Sequence, residues 1–539
     1  LKKIFIKEKM TMKKRFVTII ASAIASLTLL CSCGGGTAKG DLNIKVSKLG
    51  YGTAWLNAVV EAYEEKEGID VVVTEVIGSK GIDALYKEMQ SLSSDADIIF
   101  TRQRHFFESV YSGTVTVNGT KYDTQFADLS DVYAEKDANG VSIEDKMKDA
   151  SKQFLNVDGK YYALPWAEGV FGIVRNKTVW EKLGYTESDV PNTTDELLDL
   201  CKDIKGKVSS SSDKSMKSVA PFIYSFYDEY YTTLAPIWFA QYEGSEGINN
   251  FLEGLDPNGK LTYNLYAYDG QLKALEFLSE LVSDKNGYQH TASKDLTFTD
   301  MQSYFLMNQA VFCVNGAWLE TEMGSSYKDV KIDYIKAPVI SALSEKLSYY
   351  NPSDKAGNDK KLSELVSFVD AHTEKGDNAG LPSGTTEADA EIVRDARKVG
   401  SYMSSSSDHI ATVPAYSKNL DQAKKFLKFM YSDEGMQIYY KATNGLTMPL
   451  VPTGGYDSGV ELSDFRKNVN EIMAGNLLDY DKTQKQKIYS LGKVDVYYLN
   501  GMAITAAKAL IEGQAPSVII NNNLQYLKAN WKTITGYEK

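Results

Sequence analysis

Residues 161–176 read Tyr-Tyr-Ala-Leu-Pro-Trp-Ala-Glu-Gly-Val-Phe-Gly-Ile-Val-Arg-Asn, and this stretch decides the fold. Pro165 fixes its own φ angle and lacks a backbone donor. The apolar run from Phe171 to Val174 is typical of a buried strand. The chain therefore changes direction near Pro165 and then enters a sheet. Trp166 and Glu168 stand at that change, and an indole face beside a carboxylate suits recognition of a polyhydroxylated ligand.

Upstream of this stretch the sequence alternates between strands and helices. Apolar residues at helical spacing mark helices near 56–63 and 82–92. A β-α-β-α-β order predicts a mostly parallel sheet covered by helices, with ligands bound beyond the carboxyl ends of its strands. The predicted strands are 42–46, 71–76 and 97–100. The candidate ligand residues that follow the first and third of them are Tyr51, Trp55, Arg102 and Arg104, with core packing as the alternative for Trp55.

Downstream, a second Trp-x-Glu unit follows a predicted strand at 310–314. It reads Asn315-Gly316-Ala317-Trp318-Leu319-Glu320. One interpretation makes Trp166 and Trp318 two stacking platforms, each with a hydrogen-bonding carboxylate. The alternative is two core tryptophans with surface glutamates. Residues 224–242 are also dense in aromatics, and we expect most of Tyr227, Tyr231 and Trp238 in a core and one of them against ligand.

Three segments together resemble a known family. They are the run from Tyr162 to Gly169, the run Gly-Ile-Val-Arg-Asn-Lys-Thr-Val-Trp-Glu-Lys-Leu-Gly-Tyr at 172–185, and Val-Pro-Asn-Thr-Thr-Asp-Glu-Leu-Leu at 190–198. They look like the extracellular solute-binding proteins of ABC importers, family 1, in the carbohydrate branch that includes maltodextrin-binding proteins. The resemblance covers most of the chain after about residue 40. In this family the stretch at 161–176 is where the chain first crosses between two lobes.

The resemblance implies an α/β fold of two lobes, a clamp like that of periplasmic binding proteins. Each lobe is expected to hold a mostly parallel sheet flanked by helices, with the ligand cleft at the hinge. The Asn-Gly-x-Trp unit resembles a ligand-stacking position of that family, so Asn315 and Trp318 are carried over as site residues.

The resemblance also implies partners and domain divisions. The partners implied are a carbohydrate and ABC permease subunits, and the protein is expected to be a monomer. The expected divisions are a first lobe at 41–165 and 339–452, with an insertion at about 341–405, and a second lobe at 166–338 with C-terminal helices at 453–539.

The N-terminus reads as a processing signal. A basic cluster at 13–15 and an apolar run at 16–30 precede Leu30-Cys31-Ser32-Cys33, which matches a lipoprotein lipobox. Cys33 is the expected lipid acceptor, residues 1–32 the signal peptide and residues 33–40 a flexible tether. The expected location is the extracytoplasmic face of a bacterial membrane. The alternative is an ordinary secretory signal that happens to contain two cysteines.

Composition narrows the function classes. The chain of 539 residues has a net charge of −12; because residues 1–32 carry +6, the remainder carries −18, which argues against nucleic acid as a partner. Four scattered histidines predict no metal site, and no cofactor is expected. Cys201 and Cys313 are expected to be buried thiols.

Enzymatic motifs are absent from the sequence, so a binding protein is the leading hypothesis. One enzyme-like pattern remains, the carboxylate pair Glu168 and Glu320. A surface glycoside hydrolase would use such a pair to flank one glycosidic bond. A sugar-binding adhesin or sensor is a third hypothesis, since it would use the same clamp and the same anchor.

Overall fold

The computed structural model describes residues 40–103, 105–226, 233–324, 326–327, 329–404, 409–490 and 506–536. The predicted signal peptide, most of the tether and the lipid acceptor Cys33 lie outside this part of the chain, as do the candidate ligand residues Arg104, Tyr227 and Tyr231.

Two larger sheets organise the described residues. The first has the strand order β2-β1-β3-β14-β8, and the second has the order β10-β11-β9-β12 with β13 also paired to β9. The strands are β1 (Leu42–Lys48), β2 (Val71–Ile77), β3 (Ile98–Arg102), β4 (Val115–Val117), β5 (Thr120–Tyr122), β6 (Asn156–Val157), β7 (Lys160–Tyr161), β8 (Leu164–Pro165), β9 (Val170–Asn176), β10 (Ala220–Ile223), β11 (Ala310–Gly316), β12 (Ile332–Ile335), β13 (Met403–Ser404) and β14 (His409–Thr412).

Helices cover these sheets, and we call each sheet with its helices the first and the second lobe. The helices are α1 (Ala54–Glu67), α2 (Gly78–Gln90), α3 (Phe106–Tyr111), α4 (Ser130–Tyr133), α5 (Ile143–Lys146), α6 (Asp149–Leu155), α7 (Lys177–Lys182), α8 (Thr194–Ser210), α9 (Leu234–Leu252), α10 (Asp269–Val282), α11 (Phe298–Tyr304), α12 (Leu319–Met323), α13 (Lys355–Ala371), α14 (Glu387–Val399), α15 (Leu420–Met430), α16 (Asp433–Ala442), α17 (Asp464–Met473), α18 (Lys487–Ser490), α19 (Ala506–Ile511) and α20 (Pro516–Thr535).

Local sequence signals explain how several helices begin and end. Thr193 caps α8, because its hydroxyl accepts the Glu196 amide while the Glu196 carboxylate accepts the Thr193 amide. Gly68 ends α1 in the left-handed conformation, with φ 69°. Between these ends, α1 buries its apolar face in the core of the first lobe and α8 buries its apolar face in the core of the second lobe.

The expectation of mostly parallel sheets is correct for only part of the fold. In the first sheet β1 pairs in parallel with β2 and β3, but β14 is antiparallel to both of its neighbours. In the second sheet β9 is antiparallel to β11, β12 and β13. The reason is that β9 begins where the chain arrives from the first lobe, whereas β11 ends there, so Phe171 lies opposite Gly316.

The expected place of residues 341–405 also differs from the structure. We expected an insertion in the first lobe, but α13 and α14 pack in the second. Leu362, Val366 and Val393 share one apolar core with Trp238, and α14 packs along α9. The chain therefore stays in the second lobe through β13 and reaches the first sheet at β14. These helices can join the second core because each presents one apolar face.

A further expectation concerns the cysteines. Cys201 and Cys313 are buried free thiols, which confirms the sequence prediction. Within the described ranges, no helix combines the length and the apolarity that crossing a bilayer requires.

Candidate functional site

The two lobes meet at short connections. Strand β8 belongs to the first sheet and β9 to the second, so only residues 166–169 separate them. Strand β13 pairs with β9, and the next strand, β14, pairs with β3 and β8. Within residues 161–176 the chain therefore passes from the first sheet to the second, and the Trp-Ala-Glu-Gly segment lies between the lobes. We call this region the lobe junction.

Trp166 lies inside the aromatic core of the first lobe. Its indole stacks on Trp55 with ring centroids 4.6 Å apart and an interplanar angle of 22°, and the edge of Tyr51 approaches it at 6.2 Å. Both indoles are fully buried. Trp55 and Trp166 therefore offer no ring face in this conformation, which corrects the interpretation of Trp166 as a stacking platform and makes Trp55 a core residue. The indole Nε1 of Trp166 is buried and has no acceptor in the described part of the chain.

Trp318 connects the two lobes. It follows β11 of the second sheet, yet its indole packs with the core of the first lobe. Its centroid lies 5.7 Å from that of Tyr51 and 4.6 Å from that of Phe171, both edge to face. A Cβ atom at Gly50 would lie 2.6 Å from its Cδ1, so only glycine permits this approach. Trp318 keeps 8% of its surface exposed. Phe171, its neighbour, packs against the cores of both lobes.

Glu168 is a buried carboxylate with one partner. Lys148 forms an ion pair with its Oε1, while Oε2 is buried and has no donor among the described residues. Burial raises the pKa of Glu168 to about 7, although the charge of Lys148 and its hydrogen bond lower it. The phenol of Tyr51 donates to the Glu168 backbone carbonyl at 3.5 Å. A carboxylate in this state is a strong acceptor for a hydroxyl group.

Glu168 should give the protein a specific pH dependence of stability. Its pKa is about 7 in the folded protein against an ordinary 4.5, so between these pH values the folded state binds more protons than the unfolded state. The free energy of unfolding should therefore fall as pH rises through this window, on the order of 1 kcal/mol per pH unit, and level off above it. Urea unfolding of the wild type and of Glu168→Gln at several pH values measures this contribution as a difference. Parallel curves for the two proteins across the window would contradict the expectation.

Asn315 and two neighbours that the sequence analysis missed form a polar group at the end of β11. Gln302 donates through Nε2 to Glu322 Oε2 at 2.8 Å and lies 3.4 Å from Asn315 Oδ1, which also accepts the Gly316 amide. Asn315 Nδ2 and Gln302 Oε1 are buried, and neither has a partner in the described ranges. Burial raises the pKa of Glu322. Glu320, the predicted carboxylate, lies half-buried in the first turn of α12.

Comparison with known proteins identifies the family. The profile described as bacterial extracellular solute-binding protein matches residues 58–452, which is more than half of the chain. The chain belongs to this family. Its two-lobed α/β fold confirms the fold class expected from the sequence.

Individual relatives of this solute-binding protein are distant. The diacetylchitobiose-binding protein NgcE of Streptomyces coelicolor is 24% identical over 323 residues, which span 58% of this chain and 64% of NgcE. The solved structure of RafE in complex with raffinose has a TM-score of 0.55 at 17% identity and covers 90% of this chain and 99% of its own. Lmo0181 from Listeria monocytogenes, solved with cycloalternan, has a TM-score of 0.58 at 15% identity and covers 92% and 99%. At these identities the structures show the shared fold.

The remaining candidate ligand residues of this solute-binding protein lie apart from one another. Arg102 ends β3 as an exposed residue opposite His409 of β14. Trp238 lies in the core of the second lobe, where its ring is 4.4 Å from that of Phe277 and its Nε1 donates to the Pro338 carbonyl at 3.2 Å. The candidate ligand residue Trp238 is therefore a core residue, as the sequence predicts for most members of this aromatic group. No cluster of three or more His, Cys, Asp or Glu suited to a metal occurs in the described part of the chain.

Proposed function

We propose that this protein captures an oligosaccharide between its lobes and delivers it to an ABC permease. The observation that carries the proposal is the chemistry of the buried polar atoms at the junction. Trp166 Nε1 and Asn315 Nδ2 are donors, whereas Glu168 Oε2 and Gln302 Oε1 are acceptors, and none has a partner in the described residues. Buried groups of this kind are costly unless they are paired. A sugar hydroxyl both donates and accepts, so a polyhydroxylated ligand can satisfy the whole set.

The aromatic residues at the junction support the same ligand class. The indole of Trp318, with Tyr51 and Phe171 around it, contributes an apolar aromatic group to the junction. Sugar rings combine an apolar C–H face with a polar rim, and such surroundings match both parts. The proposal is also supported by similar proteins: NgcE is named as a diacetylchitobiose-binding protein, and RafE and Lmo0181 were solved with raffinose and cycloalternan. We further propose that the two lobes close around the ligand by hinge bending and that the permease recognises the closed form.

A carbohydrate panel tests this function. Melting temperature should rise with one class of oligosaccharide, because a ligand that binds only the folded state stabilises it by mass action. Calorimetry then gives the affinity, and chromatography after prolonged incubation should return the sugar unchanged. If no carbohydrate raises the melting temperature while an amino acid, peptide or polyamine does, the proposed ligand class is wrong.

A glycoside hydrolase is the second candidate, and the raised pKa of Glu168 is the observation that favours it. A carboxyl group with a pKa of about 7 has the protonation behaviour of a general acid. The hypothesis requires a second carboxylate across the scissile bond, the role given to Glu320. Sugar cleavage that disappears in Glu168→Gln would establish this candidate in place of the binding protein.

Lipid anchoring is a separate part of the proposal. The lipobox predicts that acyl chains on Cys33 hold the body at the membrane through a short glycine-rich tether. Cys33→Ala should therefore appear in the soluble extracellular fraction or accumulate unprocessed, as immunoblots of fractionated cells would show. Ser32→Ala is the matched control, because alanine also fits the small position before the lipobox cysteine. A Cys33→Ala protein that is processed and retained normally would contradict the assignment.

Loss of growth on the sugar after gene deletion separates a transport receptor from an adhesin or sensor.

A further inference from the structure

Arg466 is a buried cation that has no counter-charge among the described residues. It lies in α17, next to Phe465 in the apolar surface that this helix packs onto the second sheet, and 1% of its surface is exposed. Its only side-chain hydrogen bond in the described ranges runs from Nη2 to Thr321 Oγ1 at 3.5 Å. Nε and Nη1 are buried and have no acceptor there. Since a guanidinium carries five N–H donors, most of its hydrogen-bonding capacity is unused.

Other buried arginines of this protein are paired with carboxylates. Arg175 contacts Asp333 and Glu187, and Arg397 contacts Asp370. Burying an unpaired charge is strongly unfavourable, so such a residue persists where a functional state supplies its partner. The contrast leaves Arg466 as a buried guanidinium for which the described residues supply no counter-ion.

The position of Arg466 is the lobe junction. Thr321 lies in α12, the helix that begins directly after Trp318. On the opposite side, a Cβ atom at Gly445 would lie 3.4 Å from Arg466 Cγ, and Gly445 follows α16 of the first lobe. The charge of Arg466 also acts on the buried phenols of Tyr334 in the second lobe and Tyr439 in the first, where it opposes the rise in pKa that burial causes.

Glu168, the other buried charged group at the junction, does not serve as the counter-charge of Arg466. It is already paired with Lys148, which also approaches the Met473 carbonyl at the end of α17 at 3.4 Å. Glu322 interacts with the neutral amide of Gln302. The junction therefore holds two buried carboxylates with polar partners of their own, and one guanidinium that has no carboxylate partner among the described residues.

We propose that Arg466 binds an oxyanion substituent of the ligand, so that the preferred ligand is an acidic oligosaccharide rather than a neutral one. The inference rests on the proposed carbohydrate function and narrows its substrate class. A guanidinium forms short, charge-assisted hydrogen bonds with carboxylate, sulfate and phosphate groups, and these bonds are strongest where water is excluded. The sugar hydroxyls would pair with Glu168 and Asn315 while the acidic group pairs with Arg466.

Matched pairs of sugars test the inference on the full-length protein by calorimetry. The carboxylate pair is α-1,4-linked trigalacturonate against galactotriose. The phosphate pair is maltose 6′-phosphate against maltose, and the sulfate pair is chitobiose 6-sulfate against chitobiose. The wild type should prefer the acidic member of at least one pair by about 10-fold or more, and the pair concerned identifies the oxyanion. The preference should decrease as salt concentration rises, to the degree that the site remains accessible to solvent ions.

Two variants assign the preference to Arg466. Arg466→Gln should abolish the preference while leaving the neutral member bound, and Arg466→Lys should retain part of it because the charge remains. A preference that persists in Arg466→Gln overturns the inference. If Arg466→Gln does not fold, the wild-type comparison still decides: neutral members that bind as well as or better than every acidic member overturn the inference and leave the carbohydrate function intact. Absence of binding by every sugar overturns both.

Discussion

Trp166→Ala should lower the free energy of unfolding by about 3–5 kcal/mol, the range for removing a large aromatic side chain from a core. The indole is fully buried, stacks on Trp55 at 4.6 Å and contacts the edges of Phe100 and His409. Its removal leaves a cavity at the connection between the lobes, and the rigid backbone around Pro165 limits how far the cavity can collapse. Urea unfolding monitored by circular dichroism measures the loss.

Trp166→Phe is the control that separates packing from hydrogen bonding. Phenylalanine keeps an aromatic ring against Trp55, so the loss of stability should be clearly smaller than for alanine. It also removes Nε1, the donor without a partner in the described residues, so affinity for the sugar should still fall. A near-normal stability of Trp166→Ala would show that Trp166 is not a core residue. Unchanged sugar affinity in Trp166→Phe would show that Nε1 does not contact the ligand.

The first lobe follows closely from local sequence patterns. Strands predicted at 42–46, 71–76 and 97–100 occur at Leu42–Lys48, Val71–Ile77 and Ile98–Arg102. Their parallel pairing follows from helices that connect neighbouring strands. The strand pairing of the second sheet could not be predicted from local patterns. Strand β9 pairs with β11 and β12, more than a hundred residues away, and nothing in the local pattern fixes the direction of such strands.

In the candidate site too, residues in local sequence motifs could be predicted, whereas residues defined by contacts with distant parts of the chain could not. Trp318, Asn315 and Glu168 stand in recognisable motifs, and the structure brings all three to the junction. Lys148 and Arg466 were missed, because a lysine or arginine in a helical pattern reads as a solvated residue. The signal that reveals Arg466 is three-dimensional, namely burial without a carboxylate partner. For Trp55 and Trp166 the structure favours core packing, which the sequence left open because it does not show that two distant indoles cover each other.

Trp318→Ala should weaken binding of the oligosaccharide by about 5- to 150-fold, which corresponds to about 1–3 kcal/mol for a moderate hot spot at an interface. The indole extends from the second lobe into the core of the first and contacts Tyr51 and Phe171. Its removal costs apolar contact between the lobes as well as any contact with ligand, so the closed conformation loses more than the open one. The melting temperature of the free protein should fall less than that of Trp166→Ala. Calorimetry and small-angle scattering of free and loaded protein measure both effects.

Gly50→Ala tests whether closure, rather than stacking alone, depends on this contact. Alanine fits the backbone at Gly50, but its Cβ would lie 2.6 Å from Trp318 Cδ1, so the lobes cannot approach to the observed distance. The single variant should therefore bind sugar weakly and stay more open in scattering experiments, although the indole is intact. In Gly50→Ala/Trp318→Ala the clash is absent, so the combined loss of affinity should be smaller than the sum of the two single losses. Strict additivity would show that Gly50 and Trp318 act independently, and the indole would then contribute through ligand contact alone.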